Sequence, residues 1–192
     1  MDEDSFQRWA GDPDLAAAAQ RDRAARRAEA SDWEREGARH LLRERLLADV
    51  AVELLHRGDV VAVTAGGRRF TGTVVHAAGD VVCLATAAGD VDLNLRVPLL
   101  VRVVDRVPAG GRSRSRVGDS FKARLFLHEA SGARVEVGTI ADSEPVSGAV
   151  AAVARDHVVV EDRDVTAYVP LSAIAYVRPE PALPGDLAPP LA

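Results

Sequence analysis

The chain is poor in the residues that usually build cross-linked or reactive sites. Its 192 residues include one cysteine, Cys83, which excludes an internal disulfide and any metal site made of several cysteines. Aromatic residues make up only 4% of the chain, so side chains that stack on bases are scarce. No apolar run reaches the ~18 residues of a membrane span. The acidic start MDEDSFQRW is unlike a secretory signal, so we expect a soluble, cytoplasmic protein without a membrane partner.

Charge is distributed unevenly along this acidic chain, whose formal net charge is −5. Between Arg102 and Arg124 seven basic and two acidic side chains give a local charge of +5. The middle of this stretch, PAGGRSRSRVGD, has the composition of a flexible linker. The stretch can either neutralise the phosphates of a nucleic acid or keep a hinge solvated, and the sequence leaves both readings open.

The N-terminal part of the chain has a helical pattern. Asp12 is placed as an N-cap with Pro13 at the first helical position. Ser31 and Glu34 form a capping-box pattern, which predicts that a second helix begins there. That helix carries an apolar stripe at every fourth residue, formed by Leu42, Leu46, Val50 and Leu54.

From residue 58 the apolar period changes to two, and short β-rich runs alternate with glycine- and aspartate-containing turns. We predict strands near 59–65, 69–77, 80–86, 90–96 and 99–104. A similar order of features then returns after residue 119. The shared features are a helix-like lead, a glycine eight residues before a turn aspartate (Gly72 and Asp80, Gly148 and Asp156), and the run Val-Pro-Leu (at 97 and at 169). Together these matches predict an internal duplication.

A helix followed by five short strands with these features resembles the Sm-like fold of the Sm, LSm and Hfq proteins. The whole chain resembles tandem Sm-like proteins of high-GC bacteria. The resemblance covers about 40–106 and 119–179, and it implies oligomeric rings that bind RNA through loops. The asparagine that follows the turn aspartate in that family is missing here. The Arg-Gly or Lys-His pair before the last strand is also missing, with Arg96 or Tyr168 as partial substitutes.

The expected fold class is therefore α+β, with an N-terminal helical arm followed by two duplicated small bent β-barrels (Sm-like or SH3-like), each led by a helix. The division predicted from the sequence is a helical arm at 1–39, a first barrel at 40–106, a basic flexible linker at 107–118, a second barrel at 119–179, and a disordered proline-rich tail at 180–192.

No catalytic, metal or cofactor site is expected. The five histidines are scattered, Cys83 lies in an apolar run, and AGGRRF lacks the Lys-Ser/Thr of a phosphate-binding loop. The leading hypothesis is a non-catalytic protein that binds RNA or single-stranded DNA. The candidate nucleic-acid-binding residues are Arg68, Arg69, Arg112, Arg114, Arg116, Lys122 and Arg124. The alternative is a protein-binding adaptor that uses Trp9 and Trp33 of the helical arm as anchors.

Overall fold

The structure, a computed structural model, describes residues 13–107, 110–113, 118–142 and 144–180. The chain divides after Arg45 into two compact units. The described part of the first unit is a single long helix, α1 (Pro13–Glu44). From Ala17 onward its side chains are exposed, with Ser31 half-buried, because alanine and charged residues occupy most positions and form no apolar stripe. Most of the predicted proline-rich tail lies outside the described residues.

The second unit has, within the described residues, two helices and ten strands. Its first half (Leu47–Asp105) contains α2 (Leu47–Arg57), β1 (Val60–Ala65), β2 (Arg68–Ala78), β3 (Val81–Thr86), β4 (Gly89–Asn94) and β5 (Leu99–Asp105). Its second half (Phe121–Pro179) contains α3 (Phe121–Ser131), β6 (Arg134–Thr139), β7 (Val146–Val153), β8 (His157–Asp162), β9 (Val165–Pro170) and β10 (Ile174–Pro179). The strand bounds in the first half agree with the sequence prediction to within two residues.

All ten strands belong to one antiparallel sheet in the order β5-β1-β2-β3-β4-β10-β6-β7-β8-β9. The prediction of two duplicated Sm-like or SH3-like barrels, each led by a helix, is therefore wrong. The sheet is open, with β5 and β9 at its edges, and it passes from one half to the other where β4 pairs with β10. Two separate barrels would leave β4 and β10 without partners at this position, whereas their pairing satisfies backbone N–H and C=O groups of both strands.

The packing of side chains also crosses between the halves. Tyr176 of β10 is fully buried in the hydrophobic core of the first half, where its ring lies 4.7 Å from the ring of Phe70 in an edge-on arrangement. Val81 of β3 is buried in the core of the second half. The Asn94 side chain donates a 2.9 Å hydrogen bond to the carbonyl oxygen of Ile174. The two cores thus share residues, so the halves stabilise each other.

The predicted glycines lie where neighbouring strands approach each other closely. A Cβ atom on Gly72 would lie 2.1 Å from the carbonyl oxygen of Ala85, and one on Gly148 would lie 2.4 Å from that of Glu161. The register of each glycine-containing strand shifts a few residues later, after Val74 and after Val150. Only glycine allows the backbones to approach this closely.

The predicted helix start at Ser31 is wrong, because α1 continues through that residue to Glu44. The break comes instead at Arg45 and Leu46, where the Leu46 N–H donates a 2.8 Å hydrogen bond to the Asp49 carboxylate and α2 begins. The predicted apolar stripe is buried only in its later part. Leu54 is 5% exposed, whereas Leu42 and Leu46 are more than 60% exposed.

Candidate functional site

The candidate nucleic-acid-binding residues lie in different parts of the structure. Arg114, Arg116 and the candidate anchor Trp9 lie outside the described residues. Arg68 and Arg69 begin β2, Arg112 follows the first half, and Lys122 and Arg124 lie in the first turn of α3. The predicted binding roles of these residues remain predictions, and their surroundings differ greatly.

Arg124 is buried and is directed at a carboxylate. Its Nε and Nη2 atoms lie 3.1 and 3.0 Å from Oδ2 of Asp92 on β4, and Nε2 of His128 lies 3.2 Å from the same oxygen. Burial by itself raises the pKa of Asp92. The hydrogen bond from His128 and the charge and hydrogen bonds of Arg124 outweigh this effect and lower the pKa below its usual value. The group links α3 of the second half to β4 of the first half.

Arg68 takes part in a second ionic group that joins the halves. Its guanidinium contacts Glu136 on β6, whose other carboxylate oxygen lies 2.6 Å from Nη2 of Arg178. The Tyr176 hydroxyl donates a 2.7 Å hydrogen bond to Glu136. Burial and this hydrogen bond raise the pKa of Tyr176 to about 12. Arg69, the next residue, is exposed, and no carboxylate of the described residues pairs with it.

Arg112 lies in a segment that contacts the end of α2. The N–H of Gly111 donates a 2.8 Å hydrogen bond to the carbonyl oxygen of His56, and the Val107 N–H donates to the Asp59 carboxylate at 3.3 Å. A Cβ atom on Gly111 would lie 1.7 Å from the carbonyl oxygen of Leu55. Residues 110–113 are therefore held at the C-terminal end of α2, while the Arg112 side chain is exposed.

A cavity of about 500 Å³ opens where the two halves meet, and we call it the central cleft. The turns that surround it connect β2 to β3, β7 to β8 and β9 to β10, together with the segment after β4 and the start of α3. The residues of the central cleft whose side chains carry charge or form hydrogen bonds are Asp80, Asn94, Arg96, Ser120, Lys122, Arg155 and Asp156.

Asp80 organises one side of the central cleft. One carboxylate oxygen accepts a 2.7 Å hydrogen bond from the N–H of Phe121 at the start of α3, and the other lies 2.6 Å from Nε of Arg96. Ser120 caps the same helix end, because its hydroxyl accepts a 3.1 Å hydrogen bond from the N–H of Ala123. The Arg96 side chain nevertheless remains 79% exposed. It is therefore positioned at one end and available to solvent.

The other two cations of the central cleft form no direct ion pair with a carboxylate of the described residues. Lys122 donates a 3.0 Å hydrogen bond to the carbonyl oxygen of Arg155, and its charge also attracts Asp156 and helps to lower the pKa of that carboxylate. The Arg155 side chain is exposed in the turn between β7 and β8. Together with Arg96, these residues bring three cations to one cavity, against the carboxylates of Asp80 and Asp156.

Next to the central cleft lies a pair of aromatic rings. Nδ1 of His157 lies 2.8 Å from the carboxylate of Asp156, and this hydrogen bond lowers the pKa of Asp156. The His157 ring is 5.8 Å from the ring of Tyr168, which is 69% exposed. An exposed aromatic ring near cations is the combination that binds single-stranded nucleic acids, since bases stack on the ring and cations contact phosphates.

Sequence reasoning identified part of this site. Lys122 was among the candidate residues, and Arg96 and Tyr168 were named as substitutes within the Sm-like resemblance. Arg155 and His157 were not selected. Their position could have identified them, because they lie on either side of Asp156, the residue that the predicted duplication matches with Asp80.

The described residues contain no group of three or more histidine, cysteine, aspartate or glutamate residues that could hold a metal ion. Cys83 is fully buried on β3. None of the helices in the described part of the chain is both long enough and apolar enough to cross a membrane.

Comparisons with known proteins leave the family open. No protein-family model matches the sequence, and no curated protein matches it. The Sm-like resemblance therefore rests only on the residues that suggested it.

Proposed function

We propose that the protein is a non-catalytic, cytoplasmic binding protein for RNA or single-stranded DNA, and that the strand is bound at the central cleft. The observation that carries the proposal is the convergence of Arg96, Lys122 and Arg155 on one cavity. Asp156 of that cavity bonds to His157, whose ring lies 5.8 Å from the exposed ring of Tyr168. Three cations face the two carboxylates of Asp80 and Asp156 at this cavity, which leaves one positive charge in excess. Phosphates of a nucleic-acid strand provide the matching anions.

The size and chemistry of the central cleft support a flexible strand more than a rigid duplex. The cavity is about 500 Å³ and lies between turns, so it admits a few groups of a bent chain. Asn94 holds part of the wall in place, because its side chain bonds to Ile174 and its amide oxygen accepts a 2.9 Å hydrogen bond from the N–H of Arg96. Arg96 is therefore presented by a fixed backbone, which reduces the entropy lost on binding.

The test is the affinity for short fluorescent RNA and single-stranded DNA oligonucleotides, measured by fluorescence anisotropy. The variant R96Q/K122Q/R155Q should bind about 10- to 100-fold more weakly, since it loses up to three charge-assisted contacts. The matched control is R27Q/R39Q/R43Q, which removes the same charge from exposed positions on α1. Equal affinity of the two triple variants, or no binding by the unaltered protein, would contradict the proposal.

A protein-binding role for α1 is the second candidate. Trp33 is 74% exposed, and Leu41 and Leu42 are 68% and 63% exposed, which is unusual for large apolar side chains on one helix. Tryptophan is a frequent anchor at protein interfaces. Capture of a partner from nuclease-treated lysate by the unaltered protein, but not by W33A, would favour this adaptor role. Capture that nuclease abolishes would favour the nucleic-acid role.

A further inference from the structure

A second cationic cavity lies away from the central cleft, and we call it the arginine pocket. It has a volume of about 460 Å³ and is lined by Arg68, Arg69, Phe70, Thr71, the turn at 86–88 and Arg178. Strands β2, β3, β4 and β10 run between the two cavities, with their other ends at the central cleft. Strands of about six residues separate the cavities by roughly 20 Å, at about 3.3 Å per residue.

Every ionisable residue that lines the arginine pocket is an arginine. Arg68 and Arg178 are fixed by Glu136, which lies behind them and is only 7% exposed. Arg69 is exposed and has no carboxylate partner in the described part of the chain. With Glu136 included, the local charge is about +2, which is the opposite of a phosphate monoester at its charge of about −1.5 to −2.

The neighbouring groups hold the pocket in shape without competing for an anion. The Thr86 hydroxyl donates a 2.6 Å hydrogen bond to the carbonyl oxygen of Gly89 and accepts one from the Ala88 N–H, which fixes the turn. Thr71 is exposed on the wall of the pocket. Phe70 packs against Tyr176 in the core, so the first residues of β2 are anchored from below. A planar guanidinium in such a fixed setting can bind phosphate oxygens in pairs.

The fold does not require arginines at the start of this strand. Arg68 and Arg69 precede the bend glycine Gly72 by four and three residues, and Glu144 and Pro145 precede Gly148 by the same intervals. The glycine lies opposite a valine in both strand pairs, but β2 is paired with β1 through Arg68 and Arg69, whereas β7 begins only at Val146. The two arginines are therefore a feature of the first half alone. The ion pair with Glu136 accounts for Arg68, whereas no ion pair of the described residues accounts for Arg69.

We propose that the arginine pocket binds a terminal phosphate, that is, a phosphate monoester. The phosphate can belong to the end of a nucleic-acid strand or to a free nucleotide, because both present the same dianion. The inference does not rest on the function proposed for the central cleft, since no residue is shared between the two cavities.

The experiment follows backbone amide signals by NMR while phosphate probes are added to the full chain. The probes are one oligonucleotide prepared with a 5′-phosphate and with a 5′-hydroxyl, together with a nucleoside monophosphate and its nucleoside. The phosphorylated probes should shift the amides of Arg69 and residues 86–88, whereas their unphosphorylated counterparts should not. Shifts with the oligonucleotide alone assign the phosphate to a strand end, and shifts with both phosphorylated probes assign it to free nucleotides as well.

The variant R69Q leaves the contacts of Glu136 intact, and it should weaken binding of the phosphate about tenfold. R163Q removes an exposed arginine from the turn between β8 and β9 and should bind as the unaltered protein does. A second variant, T71V, should reduce the affinity less than R69Q. Unchanged affinity in R69Q, or the absence of amide shifts at the pocket with every phosphorylated probe, would overturn the proposal. Loss of binding only in R96Q/K122Q/R155Q would instead place the phosphate in the central cleft.

Discussion

Two buried carboxylates, Asp92 and Glu136, each form ion pairs with residues of the other half. Asp92 of the first half accepts from Arg124 and His128 of α3, and Glu136 of the second half accepts from Arg68 of β2. Buried ions of this kind contribute little when intact, but removing one partner leaves the other charge uncompensated. The ionic groups therefore make the two halves dependent on each other.

The Asp92→Asn substitution should destabilise the protein by about 3 kcal/mol at neutral pH, because Arg124 and His128 lose the buried carboxylate that they contact. Urea unfolding followed by circular dichroism measures this difference. Asp164→Asn, in an exposed turn, is the matched control and should change stability by less than about 0.5 kcal/mol. Equal effects of the two substitutions would contradict the role given to Asp92.

The same substitution should also change how the free energy of unfolding depends on pH. The pKa of Asp92 is lower in the folded protein than the value of about 3.9 expected for the unfolded chain. Its contribution is thus fully present above about pH 4 and is lost as the pH falls through the folded pKa. The stability difference between the unaltered protein and D92N should therefore narrow below about pH 4. A difference that stays constant down to the folded pKa would count against this interpretation.

Tyr168 is the residue expected to stack on a base. Tyr168→Ala should weaken binding of single-stranded oligonucleotides by about 1–3 kcal/mol, whereas Tyr168→Phe should keep most of the affinity. Because the side chain is 69% exposed, neither substitution should change the unfolding midpoint appreciably. Anisotropy titrations distinguish the two variants. Similar loss in both would mean that the hydroxyl, and not the ring face, makes the contact.

Whether an individual cationic side chain is buried or exposed could not be predicted from the sequence. Lys122 and Arg124 are two residues apart in the same helical turn, yet Lys122 is half-buried at the central cleft and Arg124 is buried against Asp92. A helix rotates its side chains by about 100° per residue, so neighbours in sequence face different surroundings. Knowing which of them is buried requires knowing that β4 of the other half packs on α3.

At the scale of the elements, the period-two apolar pattern and the turn glycines located the strands of the first half closely. The helical region was less predictable. Ser31 and Glu34 have the pattern of a capping box, but the chain continues through them as helix, since the residues on both sides favour helix equally well. The exposure of Leu42 and Leu46 shows that an apolar stripe in the sequence does not by itself prove burial.

Glycine substitutions provide a test at this scale. Gly72→Ala should destabilise the protein by about 1–3 kcal/mol, because its Cβ would collide with the backbone of β3. Gly37→Ala is the matched control. It places a Cβ in open space on α1 and should stabilise that helix by up to about 1 kcal/mol. Thermal unfolding, followed by the circular dichroism signal of the helices, measures both changes in stability. Stabilisation by Gly72→Ala would contradict the close approach of β2 and β3.

At the scale of the whole molecule, the sequence-based prediction was wrong about how the two halves are joined. The order of helices and strands along each half could be predicted, because it depends on the local sequence. The pairing of β4 with β10 could not, because it joins strands about eighty residues apart along the chain. Nothing in an alternating apolar strand specifies which edge it will pair with. The halves become one open sheet because Tyr176 and Asn94 make contacts across that junction, and those residues have no distinguishing pattern in the sequence.

The central cleft exists only because the halves are joined, and its proposed role is the main claim about function. The most direct measurement is the salt dependence of RNA affinity for the unaltered protein and for R96Q/K122Q/R155Q. Each phosphate contact on a single strand contributes about 0.7 to the slope of log affinity against log salt, so loss of two to three contacts should make the slope shallower by about 1.4 to 2.1. R27Q/R39Q/R43Q should keep the original slope. Identical slopes for the unaltered protein and the cleft variant would show that the strand is not bound at these residues.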